Sequence, residues 1–300
     1  MTGSGLILLN KKPGITSFDA LNEIKRALGT GKVGHTGTLD KFAQGLLLVL
    51  AGKALKLSQW FTHCDKRYTG RIFFGIETDT LDTEGVPAAH APVPSLESVL
   101  SAMIQFKGSF LQEPPVYSAI HINGKRASCL ARGGKLPEMT KRRVNVYSLE
   151  LLKWEPPYAD IGVHCSSGTY IRSLARDIAL SAGSRAHLCS LVRTQVAGFS
   201  LESAASVIGE KAGLLHQIDK TVINALGMPW FEVSREESED IAHGKPLERI
   251  LQDKTPFSAG YPASSFINDK SSFPAAVFYG DSLAAVVENT EGRWKYGCVL

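Results

Sequence analysis

Cysteine is scarce in these 300 residues: Cys64, Cys129, Cys165, Cys189 and Cys298 stand far apart, and no two form a C-x-x-C pair. That spacing argues against a zinc ribbon and a secreted disulfide scaffold, leaving buried or idle thiols. Long apolar runs are missing too, since no segment approaches the roughly 18 uninterrupted apolar residues that cross a bilayer. The apolar run near the start covers only Leu6 to Leu9 with no basic stretch before it. It reads as a first strand and not as a signal peptide, so a cytoplasmic location is expected. There is no repeat of fixed period. Gly31-Lys32 is followed by Val33, so the metal-ligating hydroxyl of a phosphate-cradling P-loop is absent.

What is present is ordinary for a globular chain, 44% hydrophobic and 21% charged, and the length suits one sizeable domain plus a small one. The charge is divided unevenly. Residues 1–227 hold 26 Lys and Arg against 18 Asp and Glu, whereas residues 228–300 hold 7 against 11. A body of net charge +8 is the expected footprint of a polyanion partner, and a tail of −4 is expected to add little to its binding.

Strand and helix signals alternate through the first part. Thr16-Ser17-Phe18-Asp19 is a capping box, Phe18, Leu21, Ile24 and Leu28 mark one helical face, and Gly29 supplies the stop. Leu46 to Leu50 reads as a buried strand. Tyr68 to Phe74 alternates as a strand with a tyrosine at its head. Leu96, Val99, Leu100 and Met103 fall at helical spacing, with Gly108 as the stop. Between Gln112 and Arg143 the pattern turns basic, Gly-rich and aperiodic, the mark of a long excursion that carries function. Ile161, Val163 and Cys165 alternate again, and Ile171, Leu174, Ala175 and Ile178 mark a helix ended by Gly183. This places Arg172 in a first helical turn just past a strand end. Beyond Met228-Pro229, Ser234 to His243 forms a short helix with a capping box. Ala275 to Tyr279 and Leu283 to Val287 form a hairpin, and Gln252 to Phe273 gives no firm element.

Chemistry concentrates in Gly34-His35-Thr36-Gly37-Thr38-Leu39-Asp40, continuing through Ala43 and Gly45. Three glycines in this stretch permit tight turns and close approach to a ligand. Read on spacing alone, Asp40 is either a turn residue or a carboxylate presented at a loop end.

This stretch resembles the catalytic loop of the TruB family of pseudouridine synthases, G-H-x-G-x-L-D-x-x-A-x-G. Four more elements resemble that family in order: Asn10-Lys11-Lys12-Pro13-Gly14-Ile15-Thr16-Ser17, Lys66-Arg67-Tyr68 with Thr78-Asp79-Thr80-Leu81-Asp82, Pro114 to Ala119 with Asn123-Gly124-Lys125-Arg126, and Gly168 to Leu174. The resemblance covers about residues 5 to 200. It implies an α+β fold whose catalytic domain, residues 1–227, has a mixed, mainly antiparallel sheet and a thumb-loop insertion at about 112–143. A small, mostly β, PUA-like domain over residues 228–300 is implied more weakly.

The resemblance also implies an activity: isomerisation of uridine 55 in the T-loop of elongator tRNAs to pseudouridine, by a monomer in the cytoplasm with no cofactor, metal, membrane or protein partner. The N1 glycosidic bond breaks, the base turns, and C5 takes its place, so a nucleophile is needed and no redox group. Asp40 matches the family's essential aspartate, which attacks uracil C6 or ribose C1′. Arg172 matches the arginine that keeps it ionised. Tyr68 matches the residue that stacks on the base and could remove the C5 proton. Tyr170 and Leu191 match pocket residues, and His35 matches a histidine filling the space of the flipped base. Lys12, Lys125, Arg126 and Arg142 are read as RNA contacts, with Arg132, Lys135, Lys141 and Arg143 as further thumb cations. Two other readings are a guide-RNA-dependent rRNA modifier, which the thumb segment disfavours, and a tRNA-folding chaperone, which Asp40, Tyr68 and Arg172 disfavour. Lys41-Phe42 stands where the family has Pro-Leu, Gln44 where it has Thr, and His121 where it has Lys.

Overall fold

The computed structural model describes residues 3–135, 137–204, 215–257 and 272–300. In chain order the elements begin β1 (Gly5–Lys11), α1 (Ser17–Leu28), β2 (Val33–His35), β3 (Gln44–Ala51), α2 (Ser58–Thr62), β4 (Lys66–Phe74), β5 (Ile76–Thr78), β6 (Pro87–His90), α3 (Leu96–Gln105) and β7 (Gly108–Gln112). They continue with β8 (His121–Ile122), β9 (Lys125–Arg126), α4 (Ala127–Arg132), β10 (Arg142–Glu155), β11 (Tyr158–Cys165), α5 (Ile171–Ser181), β12 (Ala186–Val196) and β13 (Phe199–Ser200). The last are α6 (Lys220–Ala225), β14 (Trp230–Glu232), α7 (Arg235–Ala242), α8 (Glu248–Leu251), β15 (Ser272–Tyr279), β16 (Ser282–Thr290) and β17 (Arg293–Val299). None of the described helices is long and apolar enough to cross a membrane.

Two units divide the chain, residues 1–65 with 195–300, and residues 66–194. In the first, β1 runs antiparallel to β3 from Gly5↔Ala51 to Lys11↔Gly45, and β2 lies on the other side of β3. Both strands are nearly unbroken apolar runs because both of their faces are buried. Ile7, Leu9, Leu47 and Val49 face Ala20, Leu21 and Ile24 of α1. The alternate residues Leu6, Leu8, Leu46, Leu48 and Leu50 join a second cluster with Trp60 and Phe61, and with Ala276, Phe278 and Val286 from β15 and β16. The capping box of α1 forms as expected, and Gly29 ends the helix in the left-handed region.

The C-terminal sheet has the order β14-β15-β16-β17, with β14 parallel to β15 and the other neighbours antiparallel. Its other face, through Val277, Ala285 and Val287, packs on Ile241 of α7 and on Ile250 and Leu251 of α8. The expected hairpin is β15 and β16, and the expected helix is α7, whose Ser234–Glu237 capping box is intact. Much of the Gln252–Phe273 stretch, residues 258–271, lies outside the described residues.

In the second unit the strand order is β12-β4-β11-β10-β7, and the last three pairings are antiparallel. Alternation decides the faces of this sheet. Tyr68, Ile72 and Phe74 of β4 and Ile161 and Val163 of β11 are buried, as are Leu174, Ala175 and Ile178 of α5. The other face carries Arg71 in a two-bond fork on Asp160, at 2.6 and 2.7 Å, which holds the Asp160 carboxyl below its usual range. Helix α3 ends at Gln105, earlier than expected, and Gly108 instead opens β7.

The stretch read as an aperiodic excursion contains regular structure. Strands β8 and β9 form a hairpin, and α4 follows directly. Asn123 and Gly124 at its tip have φ of 49° and 79°, the left-handed pair that a two-residue turn between strands requires.

Candidate active site

Arg172 is the second residue of α5, and only 3% of it is exposed. A guanidinium keeps its charge in such a place only if oxygen atoms surround it. Its Nη1 donates to the Thr80 carbonyl at 2.6 Å and lies 3.3 Å from Asp82 Oδ2, while Nη2 donates to the Tyr117 carbonyl at 3.0 Å. Asp82 is itself buried, and its Oδ1 accepts from Thr80 Oγ1 at 2.6 Å and from the Glu84 N–H at 3.0 Å. The Thr78 hydroxyl donates to the Asp82 carbonyl, closing the loop on itself. Leu81, between Thr80 and Asp82, sits at φ 62°, uncommon for a leucine, and the Leu188 N–H donates to its carbonyl. The T-D-T-x-D element is thus a receptor for a buried arginine. Sequence reasoning recorded that element but gave Asp82 no role. The one local signal was the Thr80/Asp82 spacing, which suits a side-chain-stabilised turn.

Tyr68 is buried in β4 opposite Val163. Gly70, two residues along the same face, lies under Leu188 and Leu191 of β12, which places Tyr68 and Leu191 on one side of the sheet. Tyr170 caps α5 and is half-buried. Both polar atoms of its backbone are bonded by the side chain of Gln112, a residue that sequence reasoning missed. The hydroxyl of Tyr117 titrates above its ordinary value, first because of burial and then because of the Asp79 carboxylate beside it.

In the other unit, His35 ends β2 opposite Val49, and Asp40 closes the glycine-rich loop; both are half-buried. The loop is clamped on either side of Asp40. Ser17 Oγ exchanges two 2.9 Å bonds with the Leu39 backbone, and the Gly14 N–H donates to the Lys41 carbonyl at 2.8 Å. Lys11, 1% exposed, donates through Nζ to the Lys12 and Ile15 carbonyls at 3.0 and 2.8 Å and to that of Lys41 at 3.4 Å. Of the two adjacent lysines it is Lys11 that is buried and shapes the loop, while Lys12 is exposed. Lys125, Arg126 and Arg142 are exposed on and beside the β8–β9 hairpin, as are Arg132, Lys135, Lys141 and Arg143.

The fold is shared with the crystal structure of a Cbf5-Nop10-Gar1 complex, at a TM-score of 0.68 and 24% identity over 94% of this chain and 77% of that one. Residues 25–171 match the model of the TruB family pseudouridylate synthase N-terminal domain, so the class is that of the pseudouridine synthases, isomerases of uridine. The chain belongs to the TruB family. It is 45% identical over 204 residues to tRNA pseudouridine synthase B of Borreliella afzelii, covering 67% of this chain and 72% of the relative. It is 38% identical over 250 residues to tRNA pseudouridine synthase B of Caldanaerobacter subterraneus subsp. tengcongensis, covering 82% and 86%.

Proposed function

We propose that this chain isomerises uridine 55 in the T-loop of elongator tRNAs, with Asp40 as the nucleophile. The relatives' shared designation as tRNA pseudouridine synthase B supports tRNA as the substrate. The observation that carries the chemistry is the buried Arg172, fixed by Thr80, Asp82 and Tyr117. A charge held this rigidly costs no reorganisation when negative charge develops on substrate or nucleophile.

In this reading the uridine leaves the stack at an unpairing cost of a few kcal/mol, and His35 takes the space it vacates. Tyr68 stacks on the base, and Tyr170 and Leu191 line its pocket. Asp40 adds to uracil C6 or to ribose C1′ as the bond from C1′ to N1 breaks. The base turns, C5 bonds to C1′, Asp40 departs, and Tyr68 takes the C5 proton while N1 gains one. Substrate and product are isomers, so neither an oxidant nor a cofactor enters the balance. Arg172 serves the reaction as a fixed positive charge, held by Thr80, Asp82 and Tyr117. Lys12, Lys125, Arg126 and Arg142 hold phosphates. Residues 1–227 act as the catalytic domain and 228–300 as a PUA-like module, in a cytoplasmic monomer.

The test is incubation with unmodified tRNA transcripts and mapping of pseudouridine at every uridine. The expected product carries the modification at position 55 alone. Asp40→Asn is expected to abolish it while RNA affinity is kept, because the amide retains the shape but is a far weaker nucleophile. Turnover of the variant near wild type would remove Asp40 from the reaction, and a product modified elsewhere would change the substrate.

A further inference from the structure

We propose that Gln112 is a positioning residue of the isomerase site that acts through the backbone of Tyr170. The proposal rests on the reading of Tyr170 as part of the uridine pocket. Gln112 ends β7, opposite Arg142 of β10, and is 1% exposed. Its Oε1 accepts the Tyr170 N–H at 2.8 Å and its Nε2 donates to the Tyr170 carbonyl at 3.1 Å. One carboxamide therefore takes both polar groups of a single residue on a distant element.

That residue occupies a sensitive place. Tyr170 is the cap of α5, with φ −99° and ψ 111°, and its carbonyl also accepts the Leu174 N–H at 3.0 Å. Rotation of its backbone would swing the tyrosine ring and re-aim the first helical turn, which carries Arg172. Two side-chain bonds to both ends of one residue oppose that rotation in both senses. The requirement on the side chain is narrow. Ionised glutamate has no donor, methionine has no strong donor or acceptor, and asparagine is a methylene too short.

The chain beyond Gln112 grips the same turn. The Glu113 carbonyl accepts from Ser173 Oγ at 2.8 Å and from Arg176 Nη2 at 3.0 Å, and the Tyr117 carbonyl accepts from Arg172. These bonds fasten the strand leading into the thumb to the start of α5. Gln112 is the member that holds the residue assigned to the base.

The test uses the full chain with an unmodified tRNA transcript. Single-turnover rate at saturating enzyme, Kd and melting temperature are measured for wild type, Gln112→Met, Gln112→Glu and Tyr170→Ala. Displacing a reacting group by about 1 Å costs on the order of a hundredfold in rate. The expected result for Gln112→Met is a loss approaching that size in the saturated rate with Kd unchanged, a split that a purely structural residue would not produce. A folded Gln112→Met chain with the wild-type rate, or a loss confined to Kd, overturns the proposal. Should Gln112→Met fail to fold, Gln112→Glu decides. It keeps the acceptor for the Tyr170 N–H but, once ionised, sets a carboxylate against the Tyr170 carbonyl, so a wild-type rate that does not fall relative to wild type as pH rises is equally fatal. Failure of the underlying reading looks different. It appears as a wild-type chain that makes no pseudouridine, or as a Tyr170→Ala chain that turns over normally.

Discussion

Arg172 carries a full charge where water does not reach, and its surroundings explain how. Two backbone carbonyls and the Asp82 carboxylate accept from or face it, and Asp82 is fixed in turn by Thr80 and by the Glu84 amide. Breaking a buried pair by removing one member typically costs about 3–5 kcal/mol, because the remaining charge is stranded. Asp82→Ala is therefore expected to lose stability of that order and to lose activity with it, through Arg172. Denaturant unfolding measures the first and single-turnover pseudouridine formation the second. An Asp82→Ala chain as stable as wild type would mean that the arginine is compensated without this aspartate. At this scale the sequence was only half legible. Arg172 was recognisable from its place in Gly168 to Leu174, but its partner Asp82 was not, since nothing local tells a buried acid from a turn acid.

At the scale of elements, periodicity and capping chemistry predicted what short-range physics controls. The capping boxes at Thr16 and Ser234, the alternation of β4 and the left-handed stop at Gly29 all form as read. The excursion between Gln112 and Arg143 shows no period in the sequence, and yet holds regular structure, because its elements are too short to carry one: β8 and β9 are two residues each and α4 is six. The hairpin places Lys125 and Arg126 beside a tight turn, both exposed, where the proposed phosphate contacts would be made. Each phosphate neutralised contributes about 0.7–0.9 to the fall of log K with log salt. Replacing Lys125, Arg126 and Arg142 together by alanine is expected to flatten the slope for tRNA by about two to three units. Kd measured across a salt series gives the slope directly, and an unchanged slope would take these residues off the phosphates.

For the molecule as a whole, the acidic tail has a second consequence. Its net charge of −4 argues for a small share in RNA affinity. Its sheet, however, completes an N-terminal core: Ala276, Phe278 and Val286 share a cluster with Leu48, Leu50, Trp60 and Phe61. Gly297 is so close to Trp60 that a β-carbon there would stand 2.7 Å from the ring, and Lys56 Nζ donates to the Val299 carbonyl at 2.7 Å. Losing one buried phenylalanine side chain alone costs about 3–5 kcal/mol. A chain ending at Gly227 is therefore expected to melt well below the full chain, and its loss of activity would report folding before RNA contact. Circular dichroism melting of the two forms checks this. Equal melting temperatures would show that the sheet contributes nothing to that core.

By itself the sequence determined the family, the helix starts and stops and the basic character of the body. These depend on residue identity at fixed short spacing, where a few dihedral angles and hydrogen bonds decide the outcome. Only the tertiary structure decided that Asp82 receives Arg172, that Gln112 holds Tyr170, that Lys11 rather than Lys12 is buried, and that the last strands complete the first core. Each of those is a contact between residues far apart in the chain or a choice between neighbours of one type. Burial and hydrogen-bond satisfaction settle such choices once the chain has closed on itself, and periodicity along it carries no trace of them.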